Sequence, residues 1–117
     1  LNILCNVVDK PEYCDFYLPA TLRRSDLQIA ISTNGSCPAY AALIRRKLQQ
    51  MFTEKHGNFL KELNICRQKI ISEVEDPTVR KNILFELVQD DSFEYFDEQG
   101  PYAWRARADQ IIKKHAV

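Results

Sequence analysis

Residues 29–38 read Ile29-Ala30-Ile31-Ser32-Thr33-Asn34-Gly35-Ser36-Cys37-Pro38. Leu27, Ile29 and Ile31 alternate with Gln28, Ala30 and Ser32, the period of a half-buried strand. A polar, glycine-containing turn follows. Pro38 then suits the first position of a helix, where its missing N–H costs nothing. A turn at a helix start offers hydroxyls, an amide and free backbone N–H groups to a phosphate or carboxylate. Gly35 permits positive φ or close approach of a ligand. The plainer reading is a strand-to-helix turn with a polar cap, and the residue types alone leave both readings open.

Toward the N-terminus, Phe16 to Leu22 reads as a strand. Arg23-Arg24-Ser25-Asp26 reads as the polar turn that joins it to Leu27–Ser32 in a hairpin. Leu1 to Val8 is apolar and β-branched at its end, and reads as a buried strand. Asp9-Lys10-Pro11 stops it, because proline restricts the residue before it and cannot extend a ladder. This opening strand has no local parallel partner and is expected to close a sheet whose earlier part precedes it. Asp9 at the rim of such a sheet would have a raised pKa, which suits proton transfer near neutral pH. An Asx turn capping its own backbone is the alternative.

Toward the C-terminus the pattern is helical. Tyr40, Leu43, Ile44, Leu48, Met51 and Phe52 recur at helical spacing, with Arg45, Arg46 and Gln49 largely on another face. Gly57 reads as an interruption. Phe59, Leu63, Cys66, Ile70 and Val74 mark a second helix. Asp76-Pro77 is an N-cap followed by a first-turn proline, and Val79, Ile83, Leu84, Leu87 and Val88 give the third helix an apolar face. Ser92 reads as the cap of a short helix holding Phe93 and Phe96, which Gly100-Pro101 ends. Trp104, Ala108, Ile111 and Ile112 line the last helix, and Lys113, Lys114 and His115 suit its C-terminal dipole. Strands first and helices after as a block predict an α+β fold, mostly α.

The 117 residues carry 16 Lys+Arg and 16 Asp+Glu, so the net charge is zero. A nucleic-acid binder would show a basic excess, and no nucleic-acid partner is expected. No apolar run reaches the length of a membrane span, and Leu1 to Val8 is too short and lacks the basic start of a signal peptide. The chain does not begin with Met and reads as part of a longer protein. The four cysteines, Cys5, Cys14, Cys37 and Cys66, form no Cys-x-x-Cys and have no His at ligand spacing, so no metal site is expected. They read as reduced thiols of a cytoplasmic protein, with Cys5 and Cys66 as small core residues. Cys37 stands at a helix start, where a nucleophilic thiol would be placed, but no His accompanies it. Arg23-Arg24 and Arg45-Arg46 read either as contacts for anionic groups or as solvated faces. His56 and His115 read as exposed helix-terminal residues. Trp104, Phe93, Tyr95, Phe96 and Tyr102 read as a small aromatic core. Three glycines, at 35, 57 and 100, cannot build a dinucleotide fingerprint.

Read together, Cys5 to Asp9 (CNVVD), Pro11 to Ala20 (PEYCDFYLPA), Arg24 to Pro38 (RSDLQIAISTNGSCP) and Ala41 to Gln49 (AALIRRKLQ) resemble the siroheme synthase family. Its members are precorrin-2 dehydrogenases, often also sirohydrochlorin ferrochelatases. The resemblance covers roughly residues 5–50 and is looser beyond. It implies three parts: residues 1–18 as the end of a Rossmann-like NAD-binding domain, 19–52 as a dimerisation segment of strands plus helix, and 53–117 as a C-terminal helical domain. It implies NAD as cofactor, bound mostly outside this chain, ferrous iron as a chelation substrate, a tetrapyrrole substrate, and a homodimer with active sites between subunits. Asp9 matches the family's catalytic aspartate. Asn6 matches a position lining the same cleft, and Ser32, Thr33, Asn34 and Gly35 match the turn that faces the carboxylate-rich tetrapyrrole. The family often has Gly-Gly where this chain has Asn34-Gly35, and Ser where it has Cys37. Asn tolerates left-handed backbone, so the turn is expected to survive. The chain alone is expected to be inactive, and a non-catalytic dimerisation or ligand-binding module of the same fold is the alternative.

Overall fold

The computed structural model describes residues 19–89 and 91–116, the side chain of Ala116 excepted. The expected strand Leu1–Val8, Asn6, Asp9, Cys5 and Cys14 lie outside the described residues. Two strands and four helices follow one another: β1 (Ala20–Arg24), β2 (Leu27–Ile31), α1 (Pro38–Met51), α2 (Glu54–Glu73), α3 (Pro77–Leu87) and α4 (Ser92–Ala116). The expected α+β class with a helical majority is observed. Among the described residues no helix is long and apolar enough to cross a membrane. The backbone divides into two compact units, one closing at Glu54 and the other starting at Lys55.

In the first unit β1 and β2 pair antiparallel, from Ala20 opposite Ile31 to Arg24 opposite Leu27. The connecting turn is therefore only Ser25-Asp26, with Ser25 at φ 57°. A positive φ at the first central position gives a two-residue loop a twist matching that of the strands. Arg23 and Arg24, expected in the turn, are strand residues instead. Their side chains explain the difference. Arg23 Nη2 reaches across to Gln28 Oε1 at 2.6 Å. Arg24 donates from Nε to the Phe52 carbonyl at 2.7 Å and from Nη2 to the Gln49 carbonyl at 3.1 Å. It thereby satisfies carbonyls at the end of α1 that have no partner within the helix. Arg45 of α1 donates to the carbonyl of Thr21. Leu22 and Ala41 are buried between hairpin and helix. The helix interruption expected at Gly57 falls instead at residues 52–53, beyond this arginine-capped end, and Gly57 lies buried inside α2.

The second unit packs α2, α3 and α4 around Cys66, Ile70, Val74, Ile83, Leu87, Phe96, Trp104, Ala108 and Ile112. Asp76 caps α3 by accepting from the Thr78 N–H at 2.9 Å, as its sequence predicts. Arg80 closes the end of α2 by donating to the carbonyls of Val74 and Ile71. Gly100, at φ 89° and ψ 170°, breaks α4 into residues 92–99 and 101–116. That torsion pair is open essentially to glycine alone, and the expected break at Gly100-Pro101 is where it was read. Ser92 does not cap its helix. Its hydroxyl donates to the Leu87 carbonyl and accepts from Trp104 Nε1 at 2.9 Å. Phe59 and Phe96 meet the Trp104 ring edge-on, at 5.4 and 6.4 Å between centroids. Tyr102 is 81% exposed and does not belong to this core. His56 stacks on Phe93 at 3.8 Å, and His115 is half-buried against Glu86 at 2.8 Å. Neither histidine is the freely exposed residue its position suggested.

Two expectations for stability follow from this unit. Ser92→Ala leaves the buried indole N–H without an acceptor and should cost about 1–3 kcal/mol. Adding Trp104→Phe removes the orphaned donor, so the double variant should be more stable than the summed single effects. Urea titrations read by circular dichroism measure the coupling.

Hydrogen bonds from His115 and Lys114 hold the Glu86 carboxyl below the ordinary glutamate value. The Arg107 hydrogen bond does the same for Asp91. A depressed folded-state pKa contributes stability above the unfolded value and loses it as pH falls through the folded value. The unit should therefore weaken below about pH 4.5, the ordinary glutamate value. Glu86→Gln with Asp91→Asn should flatten that acid limb in thermal melts taken across pH.

Candidate functional site

The site begins where β2 ends. Ser32 and Thr33 leave the strand, Asn34 and Gly35 turn, and Ser36 and Cys37 lead into Pro38 of α1. Asn34 has φ 54° and Gly35 φ 80°, and the Ser36 N–H donates to the Thr33 carbonyl at 3.0 Å. Two consecutive positive φ values in a closed four-residue turn are the type I′ pattern, for which Asn-Gly is the favoured pair. Asn34 thus occupies a left-handed position without a glycine, as expected.

The hydroxyls of this turn are held from within. Ser32 Oγ accepts the Asn34 N–H at 3.1 Å. Thr33 Oγ1 accepts the Cys37 N–H at 3.1 Å. A hydroxyl that accepts through one lone pair keeps its own proton to donate. Both oxygens are therefore fixed in place while their O–H groups stay available. The Gly35 and Ala39 N–H groups meet no acceptor among the described residues. Cys37 is the N-cap of α1 but makes no side-chain cap hydrogen bond. The first turn of α1 carries no acidic side chain, so no carboxylate of that turn offsets the positive end of the helix dipole. Apart from half-buried Thr33, residues 32–40 are exposed. Chemically, such a surface can donate hydrogen bonds to an oxyanion.

Of the predicted site residues, Ser32, Thr33, Asn34 and Gly35 come together in this turn. Asp9 and Asn6 lie outside the described residues. Three of the four arginines offered for anionic groups are engaged internally: Arg23 with Gln28, Arg24 with the end of α1, and Arg45 with Thr21 and Gln49. Arg46 is exposed and makes no hydrogen bond or ion pair among the described residues. Among the described residues no three His, Cys, Asp or Glu side chains converge as a metal site would need. No glycine-rich phosphate cradle is present among them either, since Gly35 stands alone in its turn and Gly57 lies within a helix. The described residues therefore do not fit a dinucleotide, and no step through one is assigned to them.

The buried Cys66 thiol is a core group. Burial pushes its pKa up, and the nearby Asp109 and Glu62 carboxylates add to the effect. Sequence reading missed the pairing of Glu62 with Arg105, a two-point contact at 2.6 and 2.8 Å. The residues are 43 positions apart, and no local signal links them.

The central-region family described as "Sirohaem biosynthesis protein central" matches residues 24–51. The chain is 37% identical over 81 residues to siroheme synthase of Psychrobacter sp. (strain PRwf-1), covering 69% of this chain and 17% of that protein. It is 38% identical over 76 residues to siroheme biosynthesis protein met8 of Schizosaccharomyces pombe, covering 65% of this chain and 29% of that protein. The matched region thus spans less than a third of these relatives. In fold, the chain is similar to "SirC, precorrin-2 dehydrogenase", with a TM-score of 0.64, 22% identity, and coverage of 79% of this chain and 45% of that one.

Gly35→Ala places a Cβ at positive φ, which should cost about 1–2 kcal/mol. Thr33→Val removes the acceptor of the Cys37 N–H and should cost about 1 kcal/mol, whereas Thr33→Ser keeps it. Amide hydrogen exchange at Cys37 checks both, with faster exchange expected in the Ala and Val variants and unchanged exchange in the Ser variant.

Proposed function

This chain belongs to the siroheme synthase family, and on that premise we propose that it supplies the tetrapyrrole-facing half of a precorrin-2 dehydrogenase active site. The observation that carries this reading is the Ser32–Cys37 turn. Its hydroxyls are fixed by backbone donors at the start of α1, inside the segment matched by the central-region family. Ser32 and Thr33 donate to substrate carboxylates, and the N–H groups of Gly35 and Ala39 add to the same oxyanion surface. Donors already in place need no reorganisation when the anion arrives.

In this reading Asp9 is the general acid–base group. Its carboxylate accepts a proton released from the macrocycle as precorrin-2 is oxidised to sirohydrochlorin. It also accepts pyrrole N–H protons if the same enzyme inserts ferrous iron to give siroheme. Asn6 lines the same cleft. NAD supplies the hydride acceptor, and its site is assigned to parts of the protein outside these residues. The enzyme is cytoplasmic.

The hairpin with α1, over 19–52, forms the dimerisation segment, and 53–117 forms the helical part. What supports a homodimer is the outer face of α1. Tyr40, Leu43 and Met51 there are 57%, 37% and 63% exposed, an apolar stripe that pairing with a second copy would cover.

The experiment uses the intact enzyme. Ser32→Ala with Thr33→Val should weaken sirohydrochlorin binding by roughly 10–100-fold, the worth of hydrogen bonds to a charged group. Asp9→Asn should lower turnover by about 100-fold or more while leaving the spectral titration with sirohydrochlorin and the sedimentation coefficient unchanged. Unaltered binding in the first variant removes the turn from the site. Near-normal turnover in the second removes Asp9 from the mechanism.

A further inference from the structure

The outer face of α3 is apolar and left uncovered by the described residues. Leu84, Phe85 and Val88, with Ile71 of α2, line a groove of about 480 Å³. Its floor stays open to solvent, since Ile71, Phe85 and Val88 are 39%, 56% and 48% exposed. The charged residues along it are Arg67, Arg80 and Lys81, with no carboxylate among them, in a chain whose positive and negative charges balance. Arg80 is committed to the end of α2. Lys81 Nζ lies 5.7 Å from the centre of the Phe85 ring, and Arg67 has no acidic partner among the described residues.

We propose that this groove docks an amphipathic helix of a partner protein, one whose apolar stripe is flanked by Asp and Glu. Two observations select that occupant. Lys81, Leu84, Phe85 and Val88 stand at i, i+3, i+4 and i+7, so the exposed strip runs along α3 with a cation at its start. That is the geometry by which a helix face receives another helix. A small-molecule site buries most of its ligand, which a groove with a half-exposed floor does not do. The sign of the partner's charge follows from Arg67 and Lys81, which would otherwise face an approaching cation without compensation.

The test uses the full chain and two fluorescent synthetic helices of roughly four turns, both with leucine at i, i+3, i+4 and i+7. One has glutamate flanking the stripe and the other lysine. Anisotropy should give micromolar affinity for the acidic helix and at least about tenfold weaker binding of the basic one. Arg67→Glu with Lys81→Glu should reverse that preference, with an unchanged circular dichroism spectrum. Phe85→Asp should abolish binding of both. Equal binding of the two peptides, no binding at about 1 mM, or a preference that survives charge reversal would overturn the proposal. So would a self-associating chain whose dimer is lost in Phe85→Asp, since the groove would then belong to a second copy.

Discussion

Arg24 sits at the end of β1, and its guanidinium closes the far end of α1 through the carbonyls of Phe52 and Gln49. A two-stranded hairpin is barely stable by itself, and this one buries only Leu22 deeply. The arginine supplies what apolar area does not: charge-assisted hydrogen bonds to carbonyls that would otherwise lack partners. Arg45 makes the reciprocal link from α1 to the Thr21 carbonyl. With the hairpin held along the helix at both points, the chain leaving β2 reverses through residues 32–37 to start α1. The position of the turn thus depends on an interaction that the turn itself does not make.

Arg80 repeats the device in the second unit, reaching back from α3 to the end of α2. Beyond the shared apolar core, two charge pairs favour one alignment of α2 and the last helix. Glu62 pairs with Arg105, and seven residues on Lys69 pairs with Asp109. The sign alternates along both helices. Sliding one helix by a turn would bring Asp109 toward Glu62 or Arg105 toward Lys69, and such like-charge contacts oppose the slip. The buried Glu62 gains most from correct register, because a carboxylate removed from water needs its partner.

What the sequence made legible is local. Asn34-Gly35 and Pro38, Asp76-Pro77, and Gly100-Pro101 each act through the torsions or missing N–H of one or two residues, and each appears where it was read. Capping and pairing over long separations were not legible. Arg24 looked like a turn residue because its acceptors lie 25 and 28 positions away. Ser92 looked like a cap because the competing indole of Trp104 is 12 positions distant. Gly57 looked like a break because its low helix propensity was weighed without the tertiary burial that overrides it. Exposure misled in both directions: His56 packs on an aromatic ring, whereas Tyr40 and Met51, apolar and in helical phase, face solvent.

The outward-facing apolar stripe of α1 and the internally bonded turn before it have one physical origin. Among the described residues the hairpin covers one side of the 14-residue α1, and Tyr40, Leu43 and Met51 stay exposed on it, an apolar stripe that further protein surface would cover. Its N-terminal polar groups cannot be buried by the hairpin either, and the chain satisfies them locally through Ser32 and Thr33. The backbone this needs is a left-handed Asn34 beside Gly35, and the same turn fixes the two hydroxyl oxygens. In the proposed active site that local solution serves the substrate, since a turn rigid before binding loses little entropy on meeting a carboxylate.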